Sequence, residues 1–406
     1  MDKVGKKIKV VVAMSGGVDS SVAAVLLKQA GFDVVGIMMK FWKDSSDKTG
    51  ENRCCSVESE NLARLVAKEI GIPFYVINVE KEFKKKVVDY FLQEYKKGNT
   101  PNPCVVCNKE IKFGFLIKKA LSLGADFVAT GHYARISLGS NLRSATNFFP
   151  SAGNPLCACG HKWTRDYKKF IVSLKNSLPR LFMGKDKEKD QSYFLWQLNQ
   201  KQLSRVLFPV GVYTKPEVRK LAKKFKLPTA ETPESQEVCF IPASSAGRQN
   251  ETNDFLKKYL KTKPGPVIKQ AQNGVKKIIG KHNGLWFYTI GQRRGLEIQQ
   301  GPWFVVAKDL KKNILIVSKN EKDLDKKELT VTDVNWTCPP KFSAKQKFWR
   351  VEVKIRYGAK LASAKLLMLG KSKVKIIFLK PQRAITPGQS AVFYKGEELL
   401  GGGIIV

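Results

Sequence analysis

The stretch Val10-Val11-Val12-Ala13-Met14-Ser15-Gly16-Gly17-Val18-Asp19-Ser20-Ser21 constrains the fold more than any other. A β-branched run ends in a Ser-Gly-Gly turn and passes directly into Val22-Ala23-Ala24-Val25-Leu26-Leu27, closed by Gly31. This predicts a strand, a tight loop and a helix in immediate succession. Backbone N–H groups converge at such a loop, and the helix N-terminus adds partial positive charge, so Ala13 to Ser20 reads as an anion cradle suited to phosphate. It is not the G-x-x-x-x-G-K-[ST] loop, because no lysine follows. Asp19 instead stands where a metal-bridging or orienting carboxylate would serve.

From Ile8 to Thr130 apolar runs alternate with helical stretches. Strands are expected at Ile8–Met14, Val34–Met38, Phe74–Val79 and Phe127–Thr130, with helices near Ser20–Ala30, Val57–Ile70, Lys81–Tyr95 and Ile111–Leu123. The pattern predicts an α/β unit, a parallel sheet with helices on both faces. Ligands of such sheets bind beyond the carboxyl ends of the strands, and Met39 and Gly131-His132 fall there with the glycine loop. Between the third and fourth expected strands lies Thr100-Pro101-Asn102-Pro103-Cys104-Val105-Val106-Cys107-Asn108-Lys109. Two prolines predict a fixed loop, placing Cys107 just before a helix N-terminus, where a thiolate is stabilised.

Past Phe208 the alternation stops. Thr214-Lys-Pro-Glu217 has the spacing of a capping box and predicts a helix through Phe225, bearing Arg219, Lys220, Lys223 and Lys224 on a solvated or phosphate-contacting face. A loop from Pro228 to Val238 then delivers Cys239. From about Lys277 the chain is all-β in character, with short runs such as Trp286–Ile290, Trp303–Ala307, Phe348–Arg356 and Ala391–Tyr394, which suggests a small barrel. Arg356-Tyr357 offers a cation and a stacking ring to an unpaired nucleotide.

Lys and Arg number 72 against 35 acidic residues, a net charge of +37. That excess is spread along the chain and points to a polyanionic partner, RNA before membrane. At 406 residues the chain can form two or three domains, and no apolar run approaches the roughly 20 residues of a membrane span. No secretory signal is visible, and the irregular spacing of eight cysteines suits a reducing cytoplasm better than a disulfide scaffold.

Ser-Gly-Gly-Val-Asp-Ser resembles the signature of PP-loop ATP pyrophosphatases. Together with Met39-Lys40-x-Trp42, Thr-Pro-Asn-Pro-x-x-x-Cys-Asn-Lys-Glu-Ile-Lys-Phe and Thr130-Gly131-His132-Tyr133-Ala134-Arg135, it resembles the tRNA-specific 2-thiouridylase (MnmA) family. Lys189-Asp190-Gln191-Ser192-Tyr193-Phe194, Cys239-Phe240-Ile241, Gly291-Gln292-Arg293-Arg294-Gly295-Leu296 and Thr386-Pro387-Gly388-Gln389 match in the same order, over nearly the whole chain. The resemblance implies a PP-loop domain over 1–208, a central domain over 209–276 carrying Cys239, and a tRNA-binding β-barrel over 277–406. It implies ATP with Mg²⁺ held by Ala13–Ser20, with Met39 and Gly131 near the adenosine. Cys107 and Cys239 would be catalytic and would pair as a disulfide in the reaction. Asn102, Pro103 and Cys104 would border the target base, and His132, Lys189, Asp190, Gln191, Arg356, Tyr357 and Gln389 would face the anticodon arm. A sulfur-donor protein, such as a cysteine desulfurase or a relay protein, is implied as partner.

Two features depart from the family pattern. Cys104 stands where many members carry Asp, so a general-base role there is in doubt, and a three-thiol iron–sulfur cluster becomes an alternative, less favoured than a persulfide. Residues 141–176, with Cys157-x-Cys159-Gly-His161, lie between motifs that usually sit closer together and read as a surface insertion, with no metal site assigned. The rival classes are a PP-loop synthetase with a small-molecule substrate and a non-catalytic basic RNA-binding protein.

Overall fold

A computed structural model of the protein describes residues 7–44, 56–139, 173–174, 177–233, 238–241, 248–270, 276–296, 298–338 and 348–406. Five parallel strands form the first sheet: β1 (Lys9–Ala13), β2 (Asp33–Lys40), β3 (Phe74–Asn78), β4 (Phe127–Ala129) and, further along the chain, Val206–Leu207. They stand in the order β3-β2-β1-β4 with Val206–Leu207 at the edge beside β4. Val10, Val12, Val34 and Val128 are each at most 1% exposed, as the β-branched runs of a doubly covered sheet require. Chain order reverses at β1, whose neighbours are β2 on one side and β4 on the other. The loops leaving β1 and β4 therefore open side by side at a topological switch point.

Helices α1 (Val18–Gln29) and α2 (Val57–Glu69) follow the prediction closely. Two further helices carry π-type winding in their middles. Glu80–Phe83, Lys84–Val88 and Asp89–Lys96 run on as α3, and Pro103–Cys107, Asn108–Phe115 and Leu116–Ser122 run on as α4. The sequence predicted a loop to about Ile111, yet α4 begins at Pro103. A proline at the first helical position needs no N–H partner and has its φ already set, so it starts this helix instead of forbidding it.

After β4 the chain leaves the sheet. The hairpin β5 (Ala134–Ser137) and β6 (Arg180–Met183) pairs with itself and, through β6, with the last strand of the chain. The insertion over 141–176 lies between these two strands. Its Cys157, Cys159 and His161 are outside the described residues. The predicted capping box then launches α5 (Lys215–Lys224): Glu217 N–H donates to the Thr214 hydroxyl, and Thr214 N–H to the Glu217 carboxylate. With Val206–Leu207 counted as β7, the rest of the chain is two β units joined to the first by α6 (Arg248–Tyr259).

The first β unit is a four-stranded sheet in the order β10-β11-β8-β9, from β8 (Gly265–Gln270), β9 (Lys276–His282), β10 (Phe304–Asp309) and β11 (Ile314–Ser318). The expected strand at Trp286–Ile290 is instead a single 3₁₀ turn, Leu285–Phe287. The second unit is the expected barrel. β12 (Asp325–Trp336), β13 (Trp349–Lys354), β14 (Ala362–Met368), β15 (Val374–Arg383), β16 (Ser390–Lys395) and β17 (Glu398–Ile405) run in the order β12-β15-β14-β13-β16-β17, and β17 pairs back onto β12. Closure leaves no free edge. Val331, Val353, Ile376, Phe378 and Phe393 fill its interior.

Candidate active site

Gly16 sits at φ +75°, and a Cβ there would lie 2.3 Å from the Ser59 carbonyl oxygen of α2. Only glycine permits that conformation with the loop pressed so close to a neighbouring backbone. Gly17 is the N-cap of α1 in an extended conformation, with only the Ser15 hydroxyl near its missing Cβ. The Ser20 hydroxyl ties the loop together: it accepts from Ser15 N–H at 3.2 Å and donates to the Gly17 carbonyl at 3.0 Å. Met14 and Val18 are buried beneath. Gly131, leaving β4, lies against the same helix start, where a Cβ would meet Asp19 C and Ser20 N at 2.8 Å each. The predicted meeting of the two loops at one sheet edge is thus a direct backbone contact. Met39 lies inside β2 rather than beyond it, paired with Ile77 and 6% exposed.

Asp19, in the first turn of α1, is held from two sides. Lys215 Nζ donates to both carboxylate oxygens at 2.8 Å, and the Tyr133 hydroxyl donates to Oδ1 at 2.7 Å. Lys215 is 6% and Tyr133 3% exposed, while the Asp19 side chain keeps 29% of its surface. Of four acceptor positions on the carboxylate, three are occupied, which leaves one on Oδ2. A single open carboxylate oxygen beside a phosphate cradle fits Mg²⁺, which takes one or two protein oxygens and fills its shell with phosphate and water. In the sequence the Thr-Lys-Pro-Glu run reads as a helix cap alone, and Lys215 carries no functional expectation. The available signal was a lysine at the first position of a helix, where the dipole disfavours a cation.

The cysteines occupy different settings. Cys107 is the fifth residue of α4, not the residue ahead of a helix, and is 6% exposed. Cys104, in the first turn, is half-buried, as is Cys239. No disulfide joins Cys104, Cys107, Cys239 and Cys338, the four described cysteines. Phe240, next to Cys239, is buried in the core, with its ring 5.2 Å from Phe91, 5.5 Å from Phe255 and 5.9 Å from Phe83. Phe83 and Phe91 flank the π-type stretch of α3, against which the start of α4 packs. Both cysteine segments thus rest on α3. Among the described residues no three His, Cys, Asp or Glu side chains gather as metal ligands, so Cys104, Cys107 and Cys239 do not fit an iron–sulfur cluster in this arrangement.

The segment ahead of α4 is gripped by both β units. Thr100 N–H donates to the Pro387 carbonyl at 2.9 Å, the Gln389 amide donates to the Thr100 carbonyl at 2.8 Å, and the Thr100 and Thr289 hydroxyls meet at 3.2 Å. Gln389, expected to face RNA, directs its amide at this loop. Asp190, also expected there, is 3% exposed and accepts from Gly184 N–H, Ser192 N–H and the Ser192 hydroxyl, so its oxygens are spent inside the fold. Gln191 brackets Tyr133: its side-chain oxygen accepts from Tyr133 N–H, and its own N–H donates to the Tyr133 carbonyl. Lys189, partly exposed, has its N–H on Asp186. His132 is 9% exposed, between the rings of Phe113 and Phe208, with Nδ1 2.8 Å from the Thr130 hydroxyl. Burial, and secondly the charge of Lys112, hold its pKa well below the usual histidine value.

Of the expected RNA-facing residues, Arg356 and Tyr357 are exposed. The Tyr357 ring lies 4.5 Å from Phe194, beside Tyr193, whose hydroxyl donates to the Ser390 carbonyl at 3.0 Å and has the Asn102 side chain as a neighbour. An aromatic platform thus adjoins the Asn102-Pro103-Cys104 turn. Among the described residues no helix is long and apolar enough to cross a membrane.

Residues 8–243 match the family described as tRNA methyl transferase HUP domain, residues 253–319 its PRC-barrel domain, and residues 326–405 the aminomethyltransferase beta-barrel domain. The chain is 43% identical over 416 residues to the tRNA-specific 2-thiouridylase MnmA of Carboxydothermus hydrogenoformans, covering 100% of this chain and 99% of that protein. It is 44% identical to the MnmA of Bacillus velezensis, covering 100% and 96%, and 43% identical to that of Clostridioides difficile, covering 98% of each. With a likeness of this strength along its full length, the chain belongs to the tRNA-specific 2-thiouridylase family.

Proposed function

We propose that the protein is a tRNA-uridine 2-sulfurtransferase that replaces the C2 oxygen of the wobble uridine with sulfur at the expense of ATP. The reading rests on one observation above all: the chain is alike along its whole length to proteins named for this activity, and it carries a glycine-rich loop after β1 together with two cysteine segments that both rest on α3. The uracil oxygen is a poor leaving group, so it must be activated first. It attacks the α-phosphorus of ATP, and pyrophosphate departs into the Ser15–Ser20 loop, whose N–H groups and helix N-terminus oppose its charge. Bound Mg²⁺ would be held through Asp19 Oδ2 and would neutralise phosphate charge.

The terminal sulfur of a persulfide on Cys239 then attacks C2, and AMP leaves with the former uracil oxygen. Cys107 attacks Sγ of Cys239, the S–S bond breaks, and its electron pair stays on the sulfur now attached to C2. A Cys107–Cys239 disulfide remains, which an external dithiol reduces, and a sulfur-donor protein reloads Cys239. Asn102, Pro103 and Cys104 border the flipped base, with Tyr357 and Phe194 as the stacking surface beside it. The +37 charge steers the anticodon arm toward this face. The working division is activation in 1–208, sulfur carriage in 209–276 and RNA binding in 277–406, the last boundary crossing the single sheet of β8 to β11, in a cytoplasmic enzyme.

The test is incubation of the purified protein with ATP, Mg²⁺, unmodified tRNA and a cysteine desulfurase with its substrate, followed by nucleoside analysis. AMP and 2-thiouridine formed together support the reading. AMP formed only with a small-molecule acceptor would point to a synthetase, and tRNA binding with no ATP turnover to a non-catalytic RNA-binding protein.

A further inference from the structure

Lys215 belongs to no step above, yet it is among the most buried cations of the described chain. Its Nζ makes two 2.8 Å bonds to Asp19 and lies 5.8 Å over the Tyr133 ring. Its backbone is fixed as firmly, since its N–H donates to Asp186 Oδ2 at 2.9 Å at the capped start of α5. Stability alone is a weak reason for such an arrangement, because a buried ion pair often contributes no more than apolar side chains of the same volume.

The position of Asp19 supplies a better one. A carboxylate in the first turn of a helix is drawn toward the free N–H groups of its own N-terminus. Here those are the groups of the phosphate cradle, and a carboxylate resting on them would compete with the ligand and repel it. Lys215 and Tyr133 together engage both oxygens, take three of the four acceptor positions and leave one on Oδ2. Gly131 packs on the same turn, where a Cβ would lie 2.9 Å from Asp19 Cβ.

We propose that Lys215 is a positioning residue of the nucleotide site, assisted by Tyr133, which holds the Asp19 carboxylate off the free N–H groups of the cradle and fixes which of its oxygens stays open. This rests on the reading that the loop binds ATP. Lys215 acts through Asp19 and does not itself touch phosphate, so the two residues form one functional unit.

The experiment is equilibrium binding of ATP in Mg²⁺ by calorimetry to the full-length wild type, Lys215→Met, Asp19→Asn, the double variant and Tyr133→Phe, with melting curves to establish folding. Lys215→Met is expected to weaken ATP binding about tenfold, the size of losing a charge-assisted contact. In the Asp19→Asn background the same change should add less than about twofold, since coupled residues are non-additive. Tyr133→Phe, which removes one neutral donor and keeps the ring, should cost about threefold and covers the case in which Lys215→Met does not fold. Lys215→Met that melts early but binds ATP like the wild type would reduce the lysine to a structural role. Effects of Lys215→Met and Asp19→Asn that multiply would show that it works independently of Asp19. Either overturns the inference. Asp19→Asn with wild-type affinity would instead overturn the reading of the loop as the ATP site.

Discussion

Around Asp19, side chains from α1, the turn after β4 and α5 meet through hydrogen bonds of 2.7–2.8 Å, whereas Cys239 is placed by the rings around its neighbour Phe240. The nucleotide side of the site is built from directional bonds. On the sulfur side, the turn ahead of Cys104 and Cys107 is held by backbone and amide contacts from two β units, and Cys239 by apolar packing. Under the proposed function the contrast follows from what each side would have to do. Opposing the charge of a triphosphate requires dipoles and charges fixed in direction. In the proposed reaction the Cys239 segment must accept sulfur from one partner and present it to another, and the packing of Phe240 anchors that segment at the neighbouring residue.

If the two sides divide the chemistry in this way, each can be removed separately. Cys239→Ser is expected to lower 2-thiouridine formation at least ~10³-fold, because serine cannot carry a persulfide, while tRNA-dependent pyrophosphate release continues. Asp19→Ala should abolish pyrophosphate release and thiolation together. Thiolation by Cys239→Ser with free sulfide excluded would break the division at its sulfur end.

The glycine loop sharpens the comparison from the nucleotide side. Gly16→Ala forces a Cβ to within 2.3 Å of the Ser59 carbonyl at a positive φ. It should destabilise the fold by about 2–4 kcal/mol and reduce ATP binding. Gly17→Ala meets nothing closer than 3.5 Å at an extended φ and should cost under about 1 kcal/mol. Chemical denaturation of the two variants side by side measures the difference. Equal losses would mean that the loop is not pressed on α2 as described.

Gln389→Ala probes the grip on the cysteine turn. Loss of the amide that donates to the Thr100 carbonyl should reduce thiolation turnover about tenfold, since a small displacement of a reacting group is costly, and leave ATP affinity unchanged. A variant that weakens tRNA binding with turnover intact would restore Gln389 to the RNA-facing role expected from resemblance.

How legible the molecule is from sequence follows the same divide. The β1–loop–α1 unit, the parallel order around it and the closed barrel follow from β-branched runs, turn residues and helix caps, all local signals. Pro101 and Pro103 favour a loop because proline breaks helix interiors, yet the first helical position tolerates it, and α4 starts there. Lys215 and the contact of Gln389 with Thr100 are not legible because the partners, Asp19 and Thr100, lie far off in sequence and no local pattern ties them. Exposure was the other blind spot. Asp190 is as polar as a surface residue, and nothing in its neighbours shows that Gly184 and Ser192 take up its oxygens.

His132 gives the smallest expected effect and tests the turn after β4, which serves both sides. Its ring is buried between Phe113 and Phe208, and burial, with the nearby Lys112 charge, holds its pKa well below 6.5 in the folded state. In the unfolded chain it protonates near 6.5. Above that pH both states carry a neutral ring, and the residue makes no pH-dependent contribution. Below it the unfolded chain takes up a proton that the folded chain refuses, so stability falls with falling pH, by up to about 1.4 kcal/mol per unit until the folded pKa is reached. His132→Asn keeps a polar group facing the Thr130 hydroxyl and removes the titration. Urea midpoints for both proteins at pH 7.5, 6.5 and 5.5 should therefore converge as the pH falls, because other titrating groups, including His282, are common to the two. Parallel curves would mean that the ring protonates in the folded protein near its ordinary pKa. It could then meet RNA as a cation at mildly acid pH, which a ring kept neutral by its surroundings does not do.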